Sequence, residues 1–219
     1  AVGYADNVAR IWDISEMKSQ KQPLLTLRGH SNNVWDVAYS PDGKQLAVGS
    51  MGVNGANIWD ATTGKRLITL NLYDVSSVAY SPDGKLLAVG GFDSTVGIWD
   101  ASTGVKLWNF KSQALSITNI KFNPDGTLLA TASYDGTIRL YSVDNGTNLL
   151  TLPVESGGVG SVSFSPDGKR FAVGGESGIS IFILPIQDVI ELAKSRVTRS
   201  LTFEECRQYL HVDGCPAPP

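Results

Sequence analysis

Few residues in this chain have the types that do chemistry, and most of those recur at fixed spacing. There are two histidines, His30 and His211, and two cysteines, Cys206 and Cys215. A zinc site takes four Cys or His ligands, or three and a water. Cys206, His211 and Cys215 supply three, with Asp213 as a strained fourth. The same cysteines also suit a disulfide, or simple packing of Cys206 as a small apolar side chain, which is the leading reading. Asp42, Asp83, Asp125 and Asp167 would form a cation or acid–base set if they converged. Each instead sits in a copy of one phrase: Ser40-Pro41-Asp42-Gly43, Ser81-Pro82-Asp83-Gly84, Asn123-Pro124-Asp125-Gly126 and Ser165-Pro166-Asp167-Gly168. Pro sets φ, Asp suits the next position and Gly takes the positive φ, so the phrase is a turn and its aspartates spread around a rim. No Gly-rich phosphate loop precedes a helix, since Gly157-Gly158-Val159-Gly160 leads into a strand. No Gly-x-Ser-x-Gly elbow occurs either. No catalytic residue, cofactor or metal is expected.

The elements that hold these turns follow from their spacing. The four prolines step by 41, 42 and 42 residues, the mark of stacked copies of one supersecondary unit. One unit reads most clearly from Val75. Val75–Tyr80 alternates and is rich in strand formers. The turn follows, then Leu86–Gly90, a short apolar run suited to a strand buried on both faces. Asp93-Ser94 turns the chain into Val96–Trp99, and Ser102-Thr103-Gly104 turns it again into Val105–Trp108. Four short antiparallel strands in about 42 residues make one blade of a β-propeller. Small residues (Ala47, Gly49, Ala88, Gly90, Gly91 and Ala130) are expected where blades converge.

The units also end alike, in Trp12-Asp13, Trp59-Asp60 and Trp99-Asp100, with Tyr141-Ser142 and Phe182-Ile183 in the last two. Gly29-His30 opens the second. On these motifs residues 1–184 resemble the WD-repeat propeller family. The resemblance implies an all-β propeller of about four and a half four-stranded blades, divided as 1–28, 29–70, 71–111, 112–153 and 154–184, the last without its fourth strand. That makes 18 strands. It also implies a bracing network of His, Ser or Thr, turn Asp and Trp. His30, Trp12, Trp59, Asp93, Trp99, Asp135 and Tyr141 occupy its positions, but no unit carries the full set, so partial networks are expected. In the family a terminal blade is often completed by a strand from the start of the propeller. The chain is therefore expected to be the C-terminal part of a longer bacterial protein, with further blades and an output domain upstream. By itself it would be an arc with a free strand edge at each end.

Residues 185–219 read as a short helical tail. Pro185 suits a first helical turn, and Ile186, Val189, Ile190 and Ala193 recur at helical spacing. Thr202-Phe203-Glu204-Glu205 is a capping box. The tail resembles segments found after propellers in large bacterial proteins. Arg196, Arg199 and Arg207 there read as a solvated face or as partners for propeller carboxylates. The net charge of −3 gives no electrostatic case for nucleic acid or an anionic membrane. No apolar run approaches the ~20 residues of a membrane helix. Asn145-Gly146-Thr147 reads as a turn more readily than as a glycan site. A cytoplasmic protein is expected.

Binding in the family often uses the end of the sheets where first strands begin and where second strands turn into third. On this chain those positions are Asn33 and Trp35, Asp74 and Ser76, Ser116 and Thr118, with Phe92, Tyr134 and Glu176. Aromatic residues are enriched at binding hot spots. The resemblance thus implies a non-catalytic protein-interaction scaffold or sensor arm of a larger signalling or regulatory protein. It would bind protein partners and pack against the upstream blades. The rival is a propeller enzyme of hydrolase type with a site at the central channel, which the lack of a second histidine in the repeats opposes. A third reading makes the tail a seal against a neighbouring domain.

Overall fold

The computed structural model describes residues 1–14, 22–111, 114–154, 157–176 and 178–184. Two compact units divide the chain, Ala1–Phe182 and Ile183–Pro219. The tail readings, namely the helix after Pro185, the Thr202–Glu205 capping box, and Cys206, His211 and Cys215, lie outside the described residues.

Every regular element described is a strand, and the 18 strands form five antiparallel sheets of three, four, four, four and three strands. The first holds β1 (Val2–Gly3), β2 (Ala9–Ile11) and β3 (Leu25–Leu27). The second runs β4 (Val34–Tyr39), β5 (Gln45–Ser50), β6 (Ala56–Asp60) and β7 (Arg66–Leu70). The third runs β8 (Val75–Tyr80), β9 (Leu86–Gly91), β10 (Thr95–Asp100) and β11 (Lys106–Lys111). The fourth runs β12 (Ile117–Phe122), β13 (Leu128–Ser133), β14 (Thr137–Ser142) and β15 (Asn148–Pro153). The last holds β16 (Val159–Phe164), β17 (Arg170–Gly175) and β18 (Gly178–Ile183). Within each sheet, strands pair in sequence order. This is the radial meander expected of the propeller.

Turn chemistry sets the strand lengths. In each hairpin phrase the aspartate accepts from the preceding hydroxyl or from the residues after it. Asp42 Oδ1 accepts from Ser40 Oγ at 2.6 Å and from Lys44 N at 3.0 Å. Ser81 and Lys85 repeat this on Asp83. Gly43 closes its turn at φ +71°. The turns also stack on one another, for a Cβ at Gly84 would lie 3.4 Å from Pro41 Cδ and one at Gly126 3.3 Å from Pro82 Cδ. The aspartates of Trp59-Asp60 and Trp99-Asp100 form the next turn, with Asp60 Oδ1 accepting from Thr62 N and Thr63 N and Asp100 Oδ1 from Ser102 N, Ser102 Oγ and Thr103 N. Those hydroxyl and amide donors pull the Asp100 carboxyl down to about 2. Asn145 likewise caps a turn, accepting from Thr147 N at 2.9 Å.

The core lies between sheets. Ile58, Leu70, Val75, Leu87 and Val89 join the second sheet to the third. Ile98, Ile117, Ile120 and Leu129 join the third to the fourth. Each such side chain contributes about 1.5–3 kcal/mol by leaving water. Close approach needs small residues where the sheets converge. A Cβ at Gly49 would fall 2.8 Å from Val75 Cγ1, and one at Gly90 2.7 Å from Ile117 Cγ2.

Candidate interaction face and the seams between sheets

The candidate residues share one end of the sheets because a backbone clamp repeats there. Met51 N donates to Asn33 O at 3.0 Å, Phe92 N to Asp74 O at 2.9 Å and Tyr134 N to Ser116 O at 3.1 Å. In the three four-stranded sheets the start of the innermost strand is thereby tied to the residue that follows the second strand. Met51 occupies the position of Phe92 and Tyr134, and reading for aromatic side chains missed it. Its sequence signal is the same step of about 42 residues.

On this scaffold Trp35 stands 54% exposed and Tyr134 58% exposed. Trp35 meets Phe92 edge-on, with ring centroids 5.4 Å apart. Ser116 Oγ donates to Phe92 O at 2.8 Å and fixes that loop. Tyr134 lies over the next sheet's backbone, where a Cβ at Gly158 would sit 2.9 Å from Tyr134 Cδ1. Glu176 is exposed beside it. Tyr134, Glu176 and Ile179 border a shallow glycine-floored cavity of about 430 Å³. Asp74 holds a left-handed φ of +51° and accepts from Gly52 N at 2.8 Å, so its carboxylate serves a loop. Thr118 Oγ1 donates across sheets to Val159 O.

Ser76 departs from expectation. It is 7% exposed and its hydroxyl donates to Gly90 O at 3.0 Å, so it belongs to the interior rather than to a binding face. The cause is a bulge. Register slips between Val34 and Asp36, Val75 and Ser77, Ile117 and Asn119, and Val159 and Ser161. An extra residue re-aims its own side chain. Trp35 is too large to tuck in and projects, whereas Ser76 reaches a carbonyl.

The same bulges build seams that sequence reading missed. Asp36 Oδ2 accepts from Val78 N of the next sheet at 3.0 Å and from Ser77 Oγ at 2.8 Å. Ser77 Oγ accepts from Ile120 N at 3.2 Å, and Asn119 Oδ1 from Val162 N at 3.2 Å. One polar side chain per sheet thus satisfies one amide of the next.

The bracing positions act separately. His30 and Trp59 pack with ring centroids 5.5 Å apart. Among the described residues neither His30 ring nitrogen nor Trp59 Nε1 has a hydrogen-bond partner. Burial first, and the Arg66 charge second, push His30 down to about 4. Asp93 accepts from Thr95 N and Oγ1 and Asp135 from Thr137 N within their turns, and Asp135 also accepts from the distant Ala114 N. The Trp99 ring folds back over Gly97, where a Cβ would lie 2.4 Å from Cη2. Trp12 Nε1 donates to Tyr4 Oη at 3.2 Å, and Tyr141 is buried. Among the described residues no three of His, Cys, Asp and Glu converge as metal ligands.

Residues 9–153 match the family model described as "Eukaryotic translation initiation factor eIF2A", and residues 146–182 match "WD domain, G-beta repeat". THO complex subunit 3 of Arabidopsis thaliana is 34% identical over 65 residues, or 30% of this chain. The match spans 21% of that relative's length.

Proposed function

Because the chain belongs to the WD-repeat propeller family matched by the eIF2A and WD-domain models, we propose that it is a non-catalytic scaffold that docks a protein partner. The docking end is the one carrying Trp35, Phe92, Tyr134 and Glu176. One observation carries this reading: two large aromatic side chains, Trp35 on β4 and Tyr134 after β13, remain more than half exposed beside a repeated backbone clamp. Rigid aromatic side chains bury much area at little entropic cost, which suits recognition. The relative's name makes that protein one subunit of a complex, in keeping with a role in assembly.

The finer reading is an arm of a larger signalling or regulatory protein in the cytoplasm. Support for a larger assembly comes from β18, which leaves Ile179 79% and Ile181 68% exposed. Neighbouring elements of a longer assembly would cover them.

Photo-crosslinking tests the docking end. A photoreactive residue in place of Tyr134 should yield one discrete protein adduct in cells that make the protein. The same residue in place of Leu149, exposed on β15, should not. Adducts from both positions, or from neither, contradict the reading.

A further inference from the structure

We propose that the opposite, hairpin end of the array holds a second binding site, centred on Lys121, for a protein segment presenting a carboxylate among apolar residues. The repeat itself exposes this site. The penultimate residue of each innermost strand is Ala38, Ala79, Lys121 or Ser163. Three of the four are small, so the fold has no need of a long cation there. Lys121 is nevertheless half-buried and makes no ion pair among the described residues. It lines a cavity of about 320 Å³ together with Tyr39, Pro41, Pro82, Phe122 and Phe164. An ammonium that gives up hydration beside rings gains most from an anionic hydrogen-bond partner.

Among the described residues, the carboxylates of the four hairpin turns are engaged elsewhere. Asp42, Asp83, Asp125 and Asp167 each accept from a hydroxyl and a backbone amide of their own turn. Those bonds hold all four carboxyls below the usual range. Asp42 and Asp83 also face Lys44 and Lys85. What remains is one unpaired cation inside walls of aromatic and proline carbon, with Tyr39 still 43% exposed. A bare inorganic anion would use the cation and leave the walls uncovered. A peptide carboxylate with apolar neighbours uses both.

The test takes the whole chain and two pools of fluorescein-labelled short peptides. One pool has a central glutamate flanked by leucine and proline, and the other has glutamine in its place. Anisotropy titration should show the glutamate pool bound at least about tenfold more tightly, as a charge-assisted hydrogen bond provides. Lys121→Ser should abolish the preference and Lys121→Arg should keep it. Lys121→Ser copies the residue at Ser163, so the fold tolerates it, and an unchanged melting temperature verifies this. Trp35→Ala, at the other end, should leave the titration unaltered. Equal binding of both pools overturns the proposal, as does a preference that survives in Lys121→Ser. Inorganic phosphate competing as strongly as the glutamate peptides also overturns it.

Discussion

Ser77 Oγ donates to Asp36 Oδ2 at 2.8 Å, although the two residues belong to neighbouring sheets. The same oxygen accepts from Ile120 N of the sheet beyond. Ser77 is fully buried, so one hydroxyl serves two seams at once. Sheet-to-sheet burial is nondirectional. These bonds add the direction that sets how one sheet is registered against the next.

Ser77→Ala should therefore cost more than a surface serine. It leaves the Ile120 amide without its acceptor and removes one of the donors to Asp36 Oδ2, a loss of about 1–3 kcal/mol. Asp36→Ala orphans the Val78 amide and should cost a similar amount. The double variant should lose less than the sum of the singles, because the two residues share one bond. Urea denaturation of the three variants measures this, and strict additivity would refute the seam.

His30 makes stability depend on pH in a defined window. Its folded value of about 4 lies below the ordinary 6.5, so the unfolded chain takes up a proton first. The His30 contribution is complete above about 6.5 and declines as pH falls toward about 4. His30→Leu should remove that slope, and it should cost little near neutral pH because neither ring nitrogen has a partner to lose. Melting curves of both proteins between those limits decide it. A wild type that gains stability on acidification relative to His30→Leu contradicts the burial argument.

Gly97→Ala should destabilise through packing alone. The added methyl would meet the Trp99 ring at 2.4 Å, and overpacking of this kind costs about 1–3 kcal/mol. In a Trp99→Leu background the same change should be nearly neutral. Equal costs in the two backgrounds, read from chemical denaturation, would show that the ring is not the obstacle.

Much of the fold was legible because its punctuation is local. Pro41, Asp42 and Gly43 set a turn whatever the rest of the chain does, and the step to the next copy fixes the size of a blade. The strands around Val75, Leu86 and Val159 follow from those turns. The seams were hidden because they join residues that sequence separation keeps apart. Asp36, Ser77, Asn119 and Ser161 share the repeat step, and that regularity was their signal. Ser76 was placed by matching family positions, and that match does not say whether a side chain at the bulge before Ser77 projects, as Trp35 does, or turns in to Gly90 O. The bracing set at His30 and Trp59 reduces to ring packing because the turn from Met51 to Gly55 has no aspartate, and Ser50 Oγ donates to Gly55 O instead.

Binding energy at the aromatic end tests the scaffold reading most directly. Once crosslinking through Tyr134 has identified a partner, that partner is titrated against the wild type, a Trp35→Ala/Tyr134→Ala double variant and a Leu149→Ala control. The double variant should weaken binding about a hundredfold or more, in keeping with two hot-spot aromatics, and the control should match the wild type. Equal affinity for all three proteins would contradict the assignment of recognition to this end of the sheets.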